Sequence, residues 1–398
     1  MNNRRQVLVG SAGMLLYGAL GSRVGAAAAP PDRASEALIA LPGKKPLIKR
    51  SFRPPNFETP LDQLQQSFTP NDQFFVRYHI ADIPEVDPRT WRLKVGGASA
   101  RQSLELSLED LRRGFERVTI AAVNQCSGNR RGLFVPRAGG IQWRHGAMGN
   151  AMWGGVRLRD VLRRAGVGAD ALEVVFDGAD RGVLPATPDF VKSLPIDRAL
   201  DENTLVAFEM NESPLPHWNG APVRLVVPGW TATYWIKHLT EVRVEPRAFD
   251  GFWMQSAYRI PTGAFPGARF ASQETPETTP ITEILVNSVV TSHENGAHLE
   301  RGRTAAVSGW AWDGGSGIST VEFSVDGARS WRPATLGKDL GRFAWRGFRF
   351  PLDTSTAGSR SVGVRATSRA GALQPEKLTP NPSGYHHNIV QYLTLEVA

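Results

Sequence analysis

The chain has 398 residues and a single cysteine. No intrachain disulfide can staple it, and no Cys-rich zinc site, iron–sulfur cluster or C-x-x-C-H haem attachment can organise it. Its fold has to come from a buried core. Cys126 stands in the run Ala122-Val123-Asn124-Gln125-Cys126-Ser127-Gly128-Asn129-Arg130-Arg131. The small apolar stretch from Val118 to Val123 leads into it, and a turn-forming Ser-Gly-Asn follows, so the thiol is expected where a strand ends. The charges of Arg130 and Arg131 would favour the thiolate, which is the form that binds metal or attacks. A buried structural cysteine and a working thiolate both stay open on these residues alone.

With 41% hydrophobic residues and 11 tryptophans, the chain can bury the cores of two domains, or of three. Residues 1–28 read as a twin-arginine export signal: Arg4 and Arg5 precede an apolar stretch from Val7 to Leu20, and Ala26 to Ala29 offer a cleavage site. A plain secretory signal is the other reading. The glycine-interrupted stretch is too short and weak for stable membrane insertion. Export would place the protein in the periplasm. Setting Arg4, Arg5 and Arg23 aside lowers the formal charge from +8 to about +5, with no concentrated basic face for nucleic acid.

Residues 29–69, rich in proline and charge, read as an extended arm, and a first domain spans 70–272. Phe74 to Ile80 has strand-forming residues. Ser107 to Arg113 carries a capping-box start for a short helix, with Ser107 and Asp110. Leu158 to Ala165 repeats Leu158, Val161 and Leu162 at helical spacing. Leu172–Phe176, Thr204–Glu209 and Val223–Val227 read as buried strands. Irregular alternation of strands and short helices predicts an α+β domain on a mixed sheet. After a Pro- and Thr-rich linker from Gln273 to Pro280, six strand-like segments recur between Ile284 and Val397. That rhythm predicts an antiparallel β-sandwich over 273–398, immunoglobulin-like in type. Its Trp310, Trp312, Trp331 and Trp345 are expected in a core or an interface.

Phe75-Val76-Arg77-Tyr78-His79, Cys126-Ser127-Gly128-Asn129-Arg130-Arg131 and Ala221-Pro222-Val223-Arg224-Leu225-Val226-Val227-Pro228-Gly229 together resemble the signature blocks of the sulfite oxidase family of molybdenum enzymes. Phe208-Glu209-Met210-Asn211, Pro214-Leu215-Pro216 and Val325-Asp326-Gly327 add to the resemblance, which runs from about Pro70 to the C-terminus. It implies a sulfite oxidase fold holding molybdenum on molybdopterin, with Cys126 as the protein's metal ligand; a soft thiolate suits such a metal. It also implies cofactor binding by Phe75, Val76, Arg77, Tyr78, His79, Asp180, Asn219, Arg224, Trp235, Ile236 and Lys237. Arg224 and Lys237 are chemically suited to the pterin phosphate. Arg77 and Arg131 would hold sulfite and sulfate, Tyr258 would bond substrate, and His79 would share their pocket. Trp143 matches a pocket-lining tryptophan.

The resemblance implies a sulfite dehydrogenase passing electrons singly to an external acceptor, a periplasmic cytochrome c. The sandwich would make a homodimer, or the chain would form a heteromer with a cytochrome subunit. Two departures stand out. Ser383 falls where vertebrate relatives carry a further substrate arginine, and Asn219 where a histidine is usual. Within the fold, the rival activity is reduction of a sulfoxide. Outside it, the rival is a cofactor-free binding or adhesion protein.

Overall fold

The computed structural model describes residues 36–267 and 269–398. The expected export signal at 1–28 and the first part of the expected arm lie outside them. No helix among the described residues is long and apolar enough to cross a membrane.

From residue 36 to the Cys126 strand the chain folds back on itself. Strands Leu38–Ile39, Leu47–Ser51 and Asn56–Glu58 pair in order, and the last pairs antiparallel with Val76–Arg77. The segment expected as an extended arm is therefore built into the first domain, because its apolar Leu47 and Phe57 pack with Val76 and Tyr78. A mixed five-stranded sheet follows, ordered Lys192–Pro195, Glu173–Gly178, Leu239–Glu245, Leu93–Gly96, Leu104–Leu106. Leu239–Glu245 pairs parallel with Leu93–Gly96, and the other pairings are antiparallel. A third sheet runs Ser213–Pro214, Leu205–Met210, Met148–Arg157, Arg117–Gln125, with Arg224–Val226 also on Leu205–Met210.

Two helices back these sheets where the sequence puts them. Helix α1, Leu108–Gly114, is started by a capping box in which Ser107 and Asp110 satisfy each other's backbone N–H groups. Helix α2, Leu158–Ala165, buries Leu158, Val161, Leu162 and Ala165 on one face, and it ends at Gly166, whose φ of +77° favours glycine. Strand Arg117–Gln125 stops one residue before Cys126, so the cysteine stands at a strand end as its neighbours predict.

The second domain is two sheets around a shared core. One is ordered Asn287–Val290, Ala305–Trp312, Arg346–Leu352, Thr335–Leu336, and the other His298–Leu299, Gln391–Val397, Gly358–Ser368, Ile318–Ser324, Arg332–Pro333. Along Gln391–Val397 buried and exposed residues alternate, as a strand with one face in a core requires. Val307, Phe350, Val364 and Leu395 meet in that core. The linker is structured: Thr278–Pro280 pairs antiparallel with Arg259–Pro261, next to Tyr258.

Three of the four tryptophans turn out to join the domains. The Nε1 atoms of Trp310 and Trp345 donate to the carbonyls of Leu64 and Ser67, both at 2.7 Å. Trp312 Nε1 donates to Gln125 Oε1 at 2.6 Å, one residue from the cysteine. Trp331 lies elsewhere, under the Arg365 guanidinium at 4.2 Å.

Candidate active site

The turn after strand Arg117–Gln125 fixes the thiol. Cys126 N donates to the Ala147 carbonyl, the Cys126 carbonyl accepts from Asn129 N, and Ser127 Oγ donates to Thr231 Oγ1, each at 2.9 Å. Cys126 is buried and borders a cavity.

The structure brings most of the expected residues to this cavity. Phe75, Arg77, Tyr78 and His79 come from the strand end at 76–77, and Asn219, Arg224, Trp235 and Lys237 come from the segment around strand Arg224–Val226. Asp180 and Tyr258 complete the set. Val76 and Ile236 face away: Val76 packs with Leu47 and Phe57, and Ile236 lies in the main core. Each is flanked by residues that line the cavity, and side chains in extended backbone alternate. Trp143 is fully buried behind Phe75, edge to face with its centroid 6.5 Å away.

The two arginines of the cysteine loop take different paths. Arg130 adopts φ +66° and points into the domain interface. There its Nη1 donates to Asn287 Oδ1 at 2.8 Å, its Nη2 to the Ser288 carbonyl at 2.5 Å and its Nε to His145 Nδ1 at 3.1 Å. Arg131 is not among the residues lining the cavity, but its charge acts on Tyr258; its Nε donates to the Ser383 carbonyl at 2.8 Å and its Nη1 to the Ile141 carbonyl at 3.2 Å. The guanidinium set against the thiol is Arg77. Burial opposes its charge, but Tyr258 and Cys126 outweigh burial and its pKa is raised.

Around Arg77 a small polar group forms. Arg77 Nη2 donates to Tyr258 Oη at 3.3 Å, and the Tyr258 hydroxyl makes a short hydrogen bond with His79 Nε2. Burial, then Arg77, pushes the His79 pKa well down and leaves the ring neutral, while burial raises that of Tyr258. His79 stacks on Phe190 with centroids 3.5 Å apart, beside Trp253 at 5.2 Å. Tyr258 has a φ of +59°, which costs a bulky residue about 1–3 kcal/mol and is found mostly at functional sites.

The rest of the wall is cationic. Burial lowers Arg224 to about 9 and Lys237 well below the usual lysine value. Asp180, raised to about 6 chiefly by burial, is the carboxylate among the lining residues. Arg224 Nη1 and Nη2 donate to the carbonyls of Asn219 and Trp235 at 2.9 Å each, yet its Nε has no partner, and neither do Asn124 Nδ2 and Thr233 Oγ1. Native interiors rarely leave buried polar groups unpaired. This donor-rich surface fits an anionic, acceptor-rich group such as a pterin phosphate. No group of three metal-ligating side chains occurs among the described residues, so further ligands to a metal at Cys126 would come from the cofactor itself.

Sequence reading did not single out Asn124, Ser127, Phe190, Trp218, Ala232 or Thr233, which also line the cavity. Ser127 lies inside a quoted block and Asn124 two residues before it, Trp218 adjoins Asn219, and Ala232 and Thr233 come two or three residues before Trp235, so nearness in sequence was the available signal. Lys44 was also missed. It arrives from the N-terminal segment, and its Nζ donates to Asn219 Oδ1 at 2.9 Å, with its pKa lowered by burial to about 7.

A family model for the oxidoreductase molybdopterin binding domain matches residues 80–253, and one for the Mo-co oxidoreductase dimerisation domain matches 278–396. Chicken sulfite oxidase is 34% identical over 368 residues, covering 89% of this chain and 78% of that protein. The chain belongs to the sulfite oxidase family. Human mitochondrial sulfite oxidase is 35% identical over 367 residues, and the match spans 88% of this chain but 66% of the human protein. Among solved structures, the sulfane dehydrogenase SoxCD of Paracoccus pantotrophus superposes with a TM-score of 0.72 at 26% identity, covering 86% of this chain and 85% of that one. The cofactor of this family member is molybdenum on molybdopterin, and Arg224, Lys237, Asn219 and Asp180 line the cavity that would take it.

Proposed function

We propose that this chain oxidises sulfite to sulfate, with Cys126 as the protein ligand to molybdenum, and releases the electrons singly to a cytochrome c in the periplasm. The observation that carries this reading is the convergence of Cys126, Arg77, His79 and Tyr258 on one cationic cavity. When bound, the cofactor supplies the two-electron redox centre. The chain's own residues bind and orient. Arg77 keeps its charge and offers an anion a guanidinium in a desolvated wall, where such a charge is worth more than in water. The Tyr258 hydroxyl and the neutral His79 ring hold a proton between Oη and Nε2, which gives a route for protons released as water oxygen is added to sulfite. Phe190 and Trp253, packed around His79, keep bulk water from that pair.

Export rests on Arg4, Arg5 and the apolar stretch after them. Assembly through the second domain as a homodimer is supported by the match to a dimerisation domain; a heteromer with a cytochrome subunit is the alternative. The likeness to a sulfane dehydrogenase favours a second reading, in which the substrate carries sulfane sulfur. The test is sulfite-dependent reduction of cytochrome c by the purified molybdenum-loaded protein. Turnover with sulfite and background turnover in Cys126→Ser are expected. Activity on a sulfane substrate with none on sulfite would replace the first reading by the second.

A further inference from the structure

Two neighbouring residues of the cavity wall, Trp218 and Asn219, are held from outside by the N-terminal segment. There Leu41-Pro42-Gly43-Lys44 makes a tight turn, in which Lys44 N donates to the Leu41 carbonyl at 2.9 Å and Gly43 has a φ of +70°. Proline second and glycine third suit such a turn, because glycine takes that φ without strain. The turn docks by two bonds. Trp218 Nε1 donates to the Pro42 carbonyl at 2.9 Å, and Lys44 Nζ donates to Asn219 Oδ1 at the same distance.

Lys44 is buried, and its Nζ also donates to the carbonyls of Asn71 and Phe74, at 2.6 and 3.0 Å. Three acceptors match the three N–H groups of an ammonium, which can only donate. The Asn219 amide therefore presents its oxygen to Nζ. Its Nδ2, with two N–H donors, is left for the cavity that Asn219 lines. Turned the other way, the same amide would set an acceptor against an acceptor-rich group.

We propose that Lys44 orients Asn219 as a donor for molybdopterin, and that the 41–44 turn thereby fastens the cofactor site from outside. This rests on the reading of the cavity as the cofactor's site. Lys44 is not among the residues lining the cavity; it acts through Asn219 and is a positioning residue. Retention of the cofactor is then coupled to docking of the N-terminal segment.

The test is the rate at which the molybdenum-loaded protein loses molybdopterin on dialysis, followed by molybdenum analysis and pterin fluorescence, neither of which needs turnover. Lys44→Met keeps an apolar stem and removes the donor, and loss should be roughly tenfold faster, as expected for one charge-assisted contact. On an Asn219→Ala background the same substitution should change the rate by less than about twofold. A lysine that only braced the segment would impose its full effect on either background. Asn219→Asp keeps an acceptor for Lys44 but has no N–H to show the cavity. Its cofactor-free form should melt no lower than the wild type, while its cofactor leaves at least about tenfold faster. Lys44→Leu carries the same prediction as the methionine variant, and Asn219→Asp decides if neither folds. Unchanged loss in the Lys44 variants, a full Lys44→Met effect on the Asn219→Ala background, or wild-type retention in Asn219→Asp would overturn the proposal. A wild-type protein that holds no molybdopterin would remove the cofactor reading itself and the proposal with it.

Discussion

Arg130 and Arg224 share residue type, complete burial and the same electrostatic burden: burial lowers both to about 9, and no carboxylate offsets it at either. They differ in what their donors meet. In the domain interface, Arg130 has an acceptor at Nε, Nη1 and Nη2, and its neighbour His145 is kept neutral by burial and so can accept. At the cavity, Arg224 keeps Nε unpaired, as do Asn124 at Nδ2 and Thr233 at Oγ1, two further residues of the same lining. The first is a closed tie between domains. The second is an incomplete set of donors that an anion would complete. A buried arginine is thus not by itself a sign of a binding site; leftover donors facing a void are.

The comparison breaks if both arginines respond alike to removal. Arg130→Gln strips charge from three neutral acceptors and should cost the cofactor-free protein about 3 kcal/mol, the upper end for hydrogen bonds to a charged group. A fall in thermal midpoint with little change in molybdenum per folded chain is the expected pair of results. Arg224→Met should reverse them. Relief of the buried charge offsets the two lost carbonyl bonds, so cofactor-free stability should move by less than about 1 kcal/mol, while molybdenum content falls at least about tenfold. Equal molybdenum loss in the two variants would erase the distinction.

Asp180 sharpens the comparison with a smaller effect. Its folded pKa of about 6 lies above the ordinary carboxyl value of 3.8, so the folded state binds the extra proton. The group's contribution is fully present below that ordinary value and is lost as pH rises through 6. Between pH 5 and 7 the cofactor-free protein should lose about 1 kcal/mol through this group. Denaturation midpoints of Asp180→Asn should lack that part of the slope, and an unaltered slope would show that Asp180 is not the titrating group.

The parts of this molecule written in local chemistry were legible from the sequence. The Ser107/Asp110 capping box, the buried face of α2 and the strand end at Cys126 each depend on residues within a turn or two. The alternation along Gln391–Val397 was legible for the same reason. What failed depended on distant partners. Arg130 was read as a charge favouring the thiolate, but its positive φ and acceptors at Asn287 and Ser288 send it into the domain interface. Lys44 comes from the N-terminal segment, and nothing near it announces its bond to Asn219 at the cavity. The linker from Gln273 to Pro280 has the composition of a spacer, yet its Thr278–Pro280 ladder with Arg259–Pro261 supports Tyr258.

The central claim is that the cavity beside Cys126 holds molybdenum through that thiolate. X-ray absorption at the molybdenum edge, comparing the wild type with Cys126→Ser, counts the sulfur atoms on the metal. One sulfur fewer is expected in the variant, at otherwise retained molybdenum and pterin. The same sulfur count in both proteins would contradict it and leave Cys126 a structural residue.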